Sequence, residues 1–203
     1  HGATEFMVVH AALSLLIARL SGSDDVTIGT PVSGRGEPEL DDLVGMFVNT
    51  VALRTAVPSA MPFGTYLQAV RDGDLEAFAH ADLPFDALVD LLAGYRSAAH
   101  SPLFQVMLAF QNNDTAHLEL PDLTIDIAEI DTATTKFDLH LTVTEIPGSD
   151  GSIDSLHGAL SYATDLFDAD TAAGFTDRLV RLITAAVTAP GRAVGDLDLL
   201  TAD

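Results

Sequence analysis

Helical and extended segments alternate along this chain, and that order limits the possible folds more than any other feature. Apolar side chains recur every three or four positions over residues 4–20, which predicts a helix that ends near Gly22. Residues 26–30 then form a short β-branched, apolar run that ends at Pro31, as a buried strand does. A Pro/Gly-rich loop over residues 31–42 separates this strand from another predicted over residues 46–55.

Two helices are predicted in the next part of the chain. Pro62 suits the first position of a helix, whose inward residues are predicted to be Phe63, Tyr66, Leu67, Val70, Leu75 and Phe78. Asp82 is placed to cap a second helix that ends at Gly94. The inward residues predicted for this second helix are Phe85, Leu88, Val89 and Leu92.

The pattern then changes to the two-residue period of β-strands. Apolar residues occupy alternate positions over residues 104–110, 123–127, 137–143 and 156–162. A turn at residues 147–151 predicts that the last two strands pair antiparallel, and a helix is predicted over residues 170–188. The sequence therefore predicts one α/β domain, a layer sandwich in which long helices cover a mixed sheet.

Composition excludes several classes of protein. A hydrophobic fraction of 48% with 19% charged residues is that of a globular domain. The chain has no apolar run of roughly 18 residues and no cationic leader, so we expect no membrane span. Its net charge of −21 opposes binding to nucleic acid. It has no cysteine, which excludes disulfides and thiol nucleophiles and is compatible with the expected cytoplasmic location.

Four short segments carry the functional information. They are residues 28–35 (IGTPVSGR), 41–50 (DDLVGMFVNT), 78–85 (FAHADLPF) and 101–106 (SPLFQV). In this order and spacing they resemble the condensation domains of nonribosomal peptide synthetases. The resemblance implies a chloramphenicol-acetyltransferase-like fold, of which residues 1–203 would be one half, the C-terminal lobe. It also implies amide-bond formation between acyl groups carried on the phosphopantetheine of carrier proteins, with no cofactor bound to the lobe itself.

The catalytic motif of that family, His-His-x-x-x-Asp-Gly, does not occur in this sequence. None of the seven histidines has a histidine neighbour, and Asp82 after His80 is followed by Leu83 instead of glycine. We therefore expect no catalytic residue in this chain and place the motif on an absent N-terminal lobe. The partners implied are that lobe, donor and acceptor carrier proteins, and adjacent synthetase domains. The alternative is a catalytically silent condensation-like domain that recruits an oxygenase, and the sequence upstream of His1 would decide between the two.

The resemblance also implies a set of residues along the substrate channel. These channel residues are Thr30, Pro31, Ser33, Gly34, Arg35, Met46, Asn49 and Gln111. Arg35 either serves the tunnel or pins its loop by bonding backbone carbonyls or an Asp. Asn49 lies among apolar neighbours and needs a hydrogen-bond partner, either a substrate or catalytic-loop group or a cross-strand group. Gln111 either faces the substrate side or begins a polar turn.

The remaining candidate residues are interpreted as structural. His80 is predicted to have a capping or packing role, and His10 to be a satisfied core or lobe-interface histidine. His140 and His157 lie on strands predicted to pair, but a third metal ligand at a suitable spacing is missing, so we expect no metal. A Ser-His-Asp hydrolase is disfavoured because no G-x-S-x-G segment occurs.

Overall fold

The computed structural model describes residues 2–36, 38–40, 42–92, 101–111, 134–148 and 152–200. Within these ranges the chain forms four α-helices and five strands. In chain order they are α1 (Glu5–Ser21), β1 (Asp25–Val32), β2 (Asn49–Ala56), α2 (Phe63–Ala79), α3 (Phe85–Leu91), β3 (Val106–Gln111), β4 (Leu139–Pro147), β5 (Ile153–Tyr162) and α4 (Ala169–Thr188). Short 3₁₀ helices span Pro38–Leu40 and Val194–Asp196.

The five strands form one mixed sheet in the order β2-β1-β3-β4-β5. β1 and β3 are parallel, as are β3 and β4, whereas β2 and β5 pair antiparallel at the two edges. The predicted mixed sheet and the predicted antiparallel pairing of the last two strands are confirmed. The strand predicted over residues 123–127 lies outside the described residues, as does Gly94.

Helix α1 lies at the centre of the fold, in contact with α2, α4 and β1. The Thr4 hydroxyl caps its first turn by accepting from the Met7 N–H at 3.4 Å, and Gly22 ends it with a φ of 71°. Residues on most of its circumference are buried, including Ala11 and Ala12, whose small side chains let neighbouring elements approach closely. The predicted helix is therefore confirmed at both ends.

Strands β1 and β2 differ from their predicted limits. β1 continues through Pro31 to Val32 and pairs there with Thr50 and Asn49 of β2. Its pairing with β3 covers only Ile28 and Gly29, so a residue without an N–H is tolerated beyond that point. β2 begins at Asn49, three residues later than predicted, because Met46 to Val48 belong to the connection between the strands.

The inward faces of α2 and α3 also differ in part from the prediction. Pro62 precedes α2 as its N-cap, and Leu75 is 47% exposed while Asp74 is buried. α3 has Pro84 at its N-cap and receives no cap from Asp82, and Leu92 is exposed. The buried Asp74 is the largest departure from the apolar pattern of these helices.

Strand β3 is buried on both faces instead of alternating. Met107 is buried as well as Val106 and Leu108. On the face of the sheet away from α1, the Phe104 ring lies over Gly29 so closely that a Cβ atom there would be 2.2 Å from it. The central position of the strand, with cover on both faces, explains the failure of the two-residue pattern.

The C-terminal elements agree with the prediction. Leu139, Leu141 and Val143 of β4 are buried, and α4 packs through residues that include Leu179 and Leu182. Asp168 caps α4 by accepting from the Thr171 N–H at 2.7 Å. Among the helices described, none has both the length and the apolar character needed to cross a bilayer.

Candidate functional site

The predicted channel residues all lie at the edge of the sheet that is formed by the carboxyl ends of its parallel strands. Parallel strands β1 and β3 end at this edge, which places Thr30 and Gln111 there. β2 runs in the opposite direction and begins there, at Asn49. The connection over residues 33–48 contributes the other predicted residues on the same edge. The topology therefore brings the set to one side of the molecule, although not into a single pocket.

A pocket of about 330 Å³, the edge pocket, opens at this edge. Its lining residues are Thr4, Phe6, Met7, Thr30, Pro31, Val32, Phe78 and Phe110. Of the predicted channel residues it contains only Thr30 and Pro31. None of the described residues that line it is ionisable, so these residues can bind an apolar group but cannot transfer a proton.

Three aromatic rings form one wall of the edge pocket. The Phe6 ring centroid lies 5.7 Å from that of Phe78 and 6.0 Å from that of Phe110, the latter in an edge-to-face arrangement. In the sequence these residues fit the apolar faces of predicted helices and a strand, as core residues do. Their positions near the ends of their elements were the one available signal.

Arg35 holds the connection between β1 and β2 in place. Its guanidinium donates to the carbonyl oxygens of Leu40 and Leu43, the latter at 2.8 Å, and lies 4.2 Å from the centroid of the Phe47 ring. These contacts fit the loop-pinning alternative for Arg35. A direct contact with substrate stays a prediction.

Gly34 allows the same connection to fold closely on itself. Its φ is 62°, and a Cβ atom would lie 1.8 Å from the carbonyl oxygen of Phe47. A residue with a side chain would be both strained and in collision at this position. Glycine at position 34 is thus explained by backbone packing.

Asn49 forms a remote cap on α3. Its side-chain amide donates to the carbonyl oxygens of Ala81 and Leu83, both at 2.8 Å, and its oxygen accepts from the Phe85 N–H at 3.1 Å. Asn49 thus supplies the cap that was predicted for Asp82, and its partners are on a loop instead of a neighbouring strand. This explains the polar residue in an apolar segment, and a substrate contact by Asn49 stays a prediction.

The other predicted channel residues are exposed. Met46 is 88% exposed, and Ser33 and Gln111 are also on the surface. The large apolar side chains near Met46 are exposed too, namely those of Leu43, Val44 and Val48. Substitution of these residues can therefore test function with little effect on packing.

His10 is a satisfied core histidine, as predicted. Its ring is fully buried, with Nδ1 2.9 Å from Oδ1 of Asp74 and Nε2 3.5 Å from the Thr55 hydroxyl. The sequence analysis missed Asp74 as its partner. A signal was present, because Asp74 lies midway between Val70 and Phe78 at the four-residue spacing of one helix face.

Within the part of the chain that the structure describes, the other predicted histidines are not grouped together. His80 lies at the C-cap of α2 and is exposed. His140 pairs with Ser161 whereas His157 pairs with Thr144, so the two histidines are four positions apart along the strands. Burial lowers the pKa of His140, whose Nε2 has no hydrogen-bond partner among the described residues. Among the described residues, no three His, Cys, Asp or Glu side chains are grouped so that they could hold a metal ion.

Comparisons with known proteins agree with this architecture. A family model of the condensation domain matches residues 1–203. A probable non-canonical nonribosomal peptide synthetase (CymA) from Salinispora arenicola (strain CNS-205) is 48% identical over 200 residues, which are 98% of this chain and 3% of that protein. A chain in the solved complex of the X-domain and OxyB from teicoplanin biosynthesis is 34% identical, with a TM-score of 0.86, over 100% of this chain and 44% of that chain.

A more distant solved structure shows the same fold. The four-domain nonribosomal peptide synthetase holo-AB3403, bound to AMP and glycine, is 22% identical with a TM-score of 0.87, over 100% of this chain and 16% of that chain. The chain belongs to the condensation-domain family, and its mixed sheet with covering helices has the chloramphenicol-acetyltransferase-like architecture of such domains. It spans less than half of the length of each of these relatives, from 3% to 44%.

Proposed function

We propose that residues 1–203 are the C-terminal lobe of a condensation domain and form one wall of its substrate channel. In the complete domain, the amine on an acceptor carrier attacks the thioester carbonyl on a donor carrier. A C–N bond forms, the C–S bond breaks, and the donor phosphopantetheine leaves as a thiol. An N-terminal lobe would supply the catalytic histidine motif.

The observation that carries this proposal is the edge of the sheet where the predicted channel residues meet. Two side chains hold this edge together: Arg35 bonds two carbonyl groups of the connection between β1 and β2, and Asn49 bonds the loop before α3. The lining residues that the structure describes in the edge pocket offer no acid or base. Such a wall contributes by orientation, because two tethered substrates held in place react as if in one molecule.

The partners proposed are the two carrier proteins, the N-terminal lobe and adjacent synthetase domains, in the cytoplasm. The net charge of −21 gives no general attraction to an acidic carrier. We therefore place carrier docking on a local apolar surface, and the exposed side chains of Leu43, Val44 and Val48 provide one.

A second candidate is a catalytically silent domain that recruits an oxygenase. The likeness at 34% identity to a chain in the complex of the X-domain and OxyB favours it. Both candidates share the fold described, so activity of the complete domain is what separates them. Condensation product supports the first, whereas binding of an oxygenase without product supports the second.

Exposed channel residues give the sharpest test of the first candidate. In the complete domain, Met46→Ala and Gln111→Ala are expected to lower the rate of condensation without lowering the melting temperature, because both side chains are exposed. The matched control is Gln68→Ala on the exposed face of α2, which should keep the wild-type rate. Wild-type rates in both variants would contradict the assignment of Met46 and Gln111 to the channel.

A further inference from the structure

We propose that the edge pocket is a binding site for one apolar side chain or ring. That this group belongs to a carrier-bound substrate rests on the proposed function, but the binding itself does not. The proposal assigns a ligand class to Phe6, Phe78 and Phe110, which the sequence analysis had left in the core.

Topology places the pocket where open α/β sheets bind ligands. From its carboxyl end β1 connects to β2 on one side, whereas β3 is followed by β4 on the other side. Where two neighbouring parallel strands are followed in the chain by strands on opposite sides, a crevice opens at their carboxyl ends, and ligands bind in that crevice. Val32 at the end of β1 and Phe110 near the end of β3 both line the edge pocket.

The chemistry of the lining selects an apolar ligand. Most of the wall is aromatic or aliphatic, and the polar side-chain groups among its described residues are the hydroxyls of Thr4 and Thr30. The Thr4 hydroxyl already accepts from the Met7 N–H. A charged group inside would lose its hydration without gaining a partner of opposite charge. The volume of about 330 Å³ is at the lower end of the roughly 300–1,000 Å³ of small-molecule sites, which suits one side chain or ring.

The aromatic wall is held in place before any ligand arrives. Phe6 lies one helical turn before His10 on α1, and Phe78 lies one turn after Asp74 on α2. The buried pair of His10 and Asp74 joins the two helices, and the rings of Phe6 and His10 lie 6.0 Å apart. A wall fixed in this way loses little conformational entropy on binding, which favours affinity.

The test uses the chain itself and a small fluorinated probe. Binding of 4-fluorobenzyl alcohol is followed through the ¹⁹F relaxation of the probe, with indole as unlabelled competitor. We expect saturable binding with a dissociation constant on the order of 1 mM, as a ligand of this size achieves in an apolar site. We also expect excess indole to reverse it. Absence of saturable binding would overturn the proposal.

Two variants change the pocket in opposite directions. Val32→Phe fills it and is expected to weaken probe binding at least tenfold, while the matched control Val187→Phe on the exposed face of α4 leaves binding unchanged. Phe78→Ala enlarges the pocket and is expected to favour 6-fluoroindole over 4-fluorobenzyl alcohol by several-fold relative to wild type. This second variant keeps the test valid if Val32→Phe fails to fold.

Binding that survives Val32→Phe in a folded protein, or an unchanged preference in Phe78→Ala, would place the probe elsewhere and contradict the proposal. These outcomes are independent of condensation activity. A lobe that binds the probe in the edge pocket but forms no product in the complete domain would refute only the proposed function.

Discussion

The imidazole of His10 and the carboxylate of Asp74 form a buried pair, with Nδ1 2.9 Å from Oδ1 and side chains 0% and 3% exposed. The pair joins α1 to α2, and the Thr55 hydroxyl of β2 completes the contacts of the ring at 3.5 Å. Two helices and the sheet thus meet at one polar cluster within an apolar core. The stability of the fold should depend on both members of the pair together.

His10→Leu should destabilise the fold by about 3–5 kcal/mol, because it leaves the Asp74 carboxylate buried without its partner. The double variant His10→Leu/Asp74→Leu should recover much of that loss, since it removes both polar groups. Urea unfolding of the three proteins measures the coupling. Asp72→Leu, at an exposed position two residues away, is the control. Wild-type stability in His10→Leu would contradict the role given to the pair.

Asn49→Ala should cost about 1–3 kcal/mol, because two carbonyl groups and one N–H lose a partner. Asn49→Asp should cost more, since a carboxylate oxygen would face the carbonyl oxygens of Ala81 and Leu83. Urea unfolding measures the stability of both variants, and hydrogen exchange of the Phe85 amide should become faster in Asn49→Ala, which removes its acceptor oxygen. Thr50→Ala on the same strand is the control. Equal stability of the Asn49 variants and wild type would mean that α3 needs no remote cap.

Gly29→Ala should destabilise the fold by about 1–3 kcal/mol, because the new methyl group would enter the Phe104 ring. Adding Phe104→Ala should make the same change at residue 29 much less costly, which a double-mutant cycle detects. Gly36→Ala is the matched control, since a Cβ atom there meets nothing within 4 Å. If Gly29→Ala destabilises the Phe104→Ala protein as much as it destabilises wild type, the contact with the Phe104 ring is not the cause of the loss.

His140 should make the stability depend on pH. Because burial lowers its pKa below the ordinary value of 6.5, the unfolded chain binds this proton more readily than the folded one. The contribution of neutral His140 to the free energy of unfolding is fully present above pH 6.5. It is lost as the pH falls through the lowered pKa. His140→Leu should therefore unfold less readily than wild type in acid, and should be at least as stable at pH 8 because the unpartnered Nε2 is removed.

Melting temperatures of wild type and His140→Leu at several pH values between 8 and 5 measure this difference. The matched control is His157→Leu on the exposed edge strand β5. A constant difference between wild type and His140→Leu across that range would refute the assignment to His140.

Local signals in the sequence were enough to predict most of the elements. The apolar period and Gly22 define α1 within a few residues, and the alternation of Leu139, Leu141 and Val143 identifies the buried face of β4. Such signals depend on neighbours within one or two turns of the chain. They can therefore be recognised in the sequence without knowledge of the tertiary structure.

Contacts between distant parts of the chain could not be predicted in this way. The partner of His10 is 64 residues away, and Asn49 caps a helix that begins 36 residues later. The edge pocket is likewise assembled from the ends of α1, β1, α2 and β3. The sequence indicated that Asn49 needed a partner, but only the packing of α3 against β2 shows which one.

Mass-spectrometric detection of condensed product on the acceptor carrier tests the central claim most directly. With donor- and acceptor-loaded carriers, the complete domain should form product and the 203-residue chain alone should give only the background rate. An N-terminal lobe supplied in trans should restore part of the activity if the two halves associate. Robust turnover by the chain alone would contradict the proposal that it is one half of the enzyme.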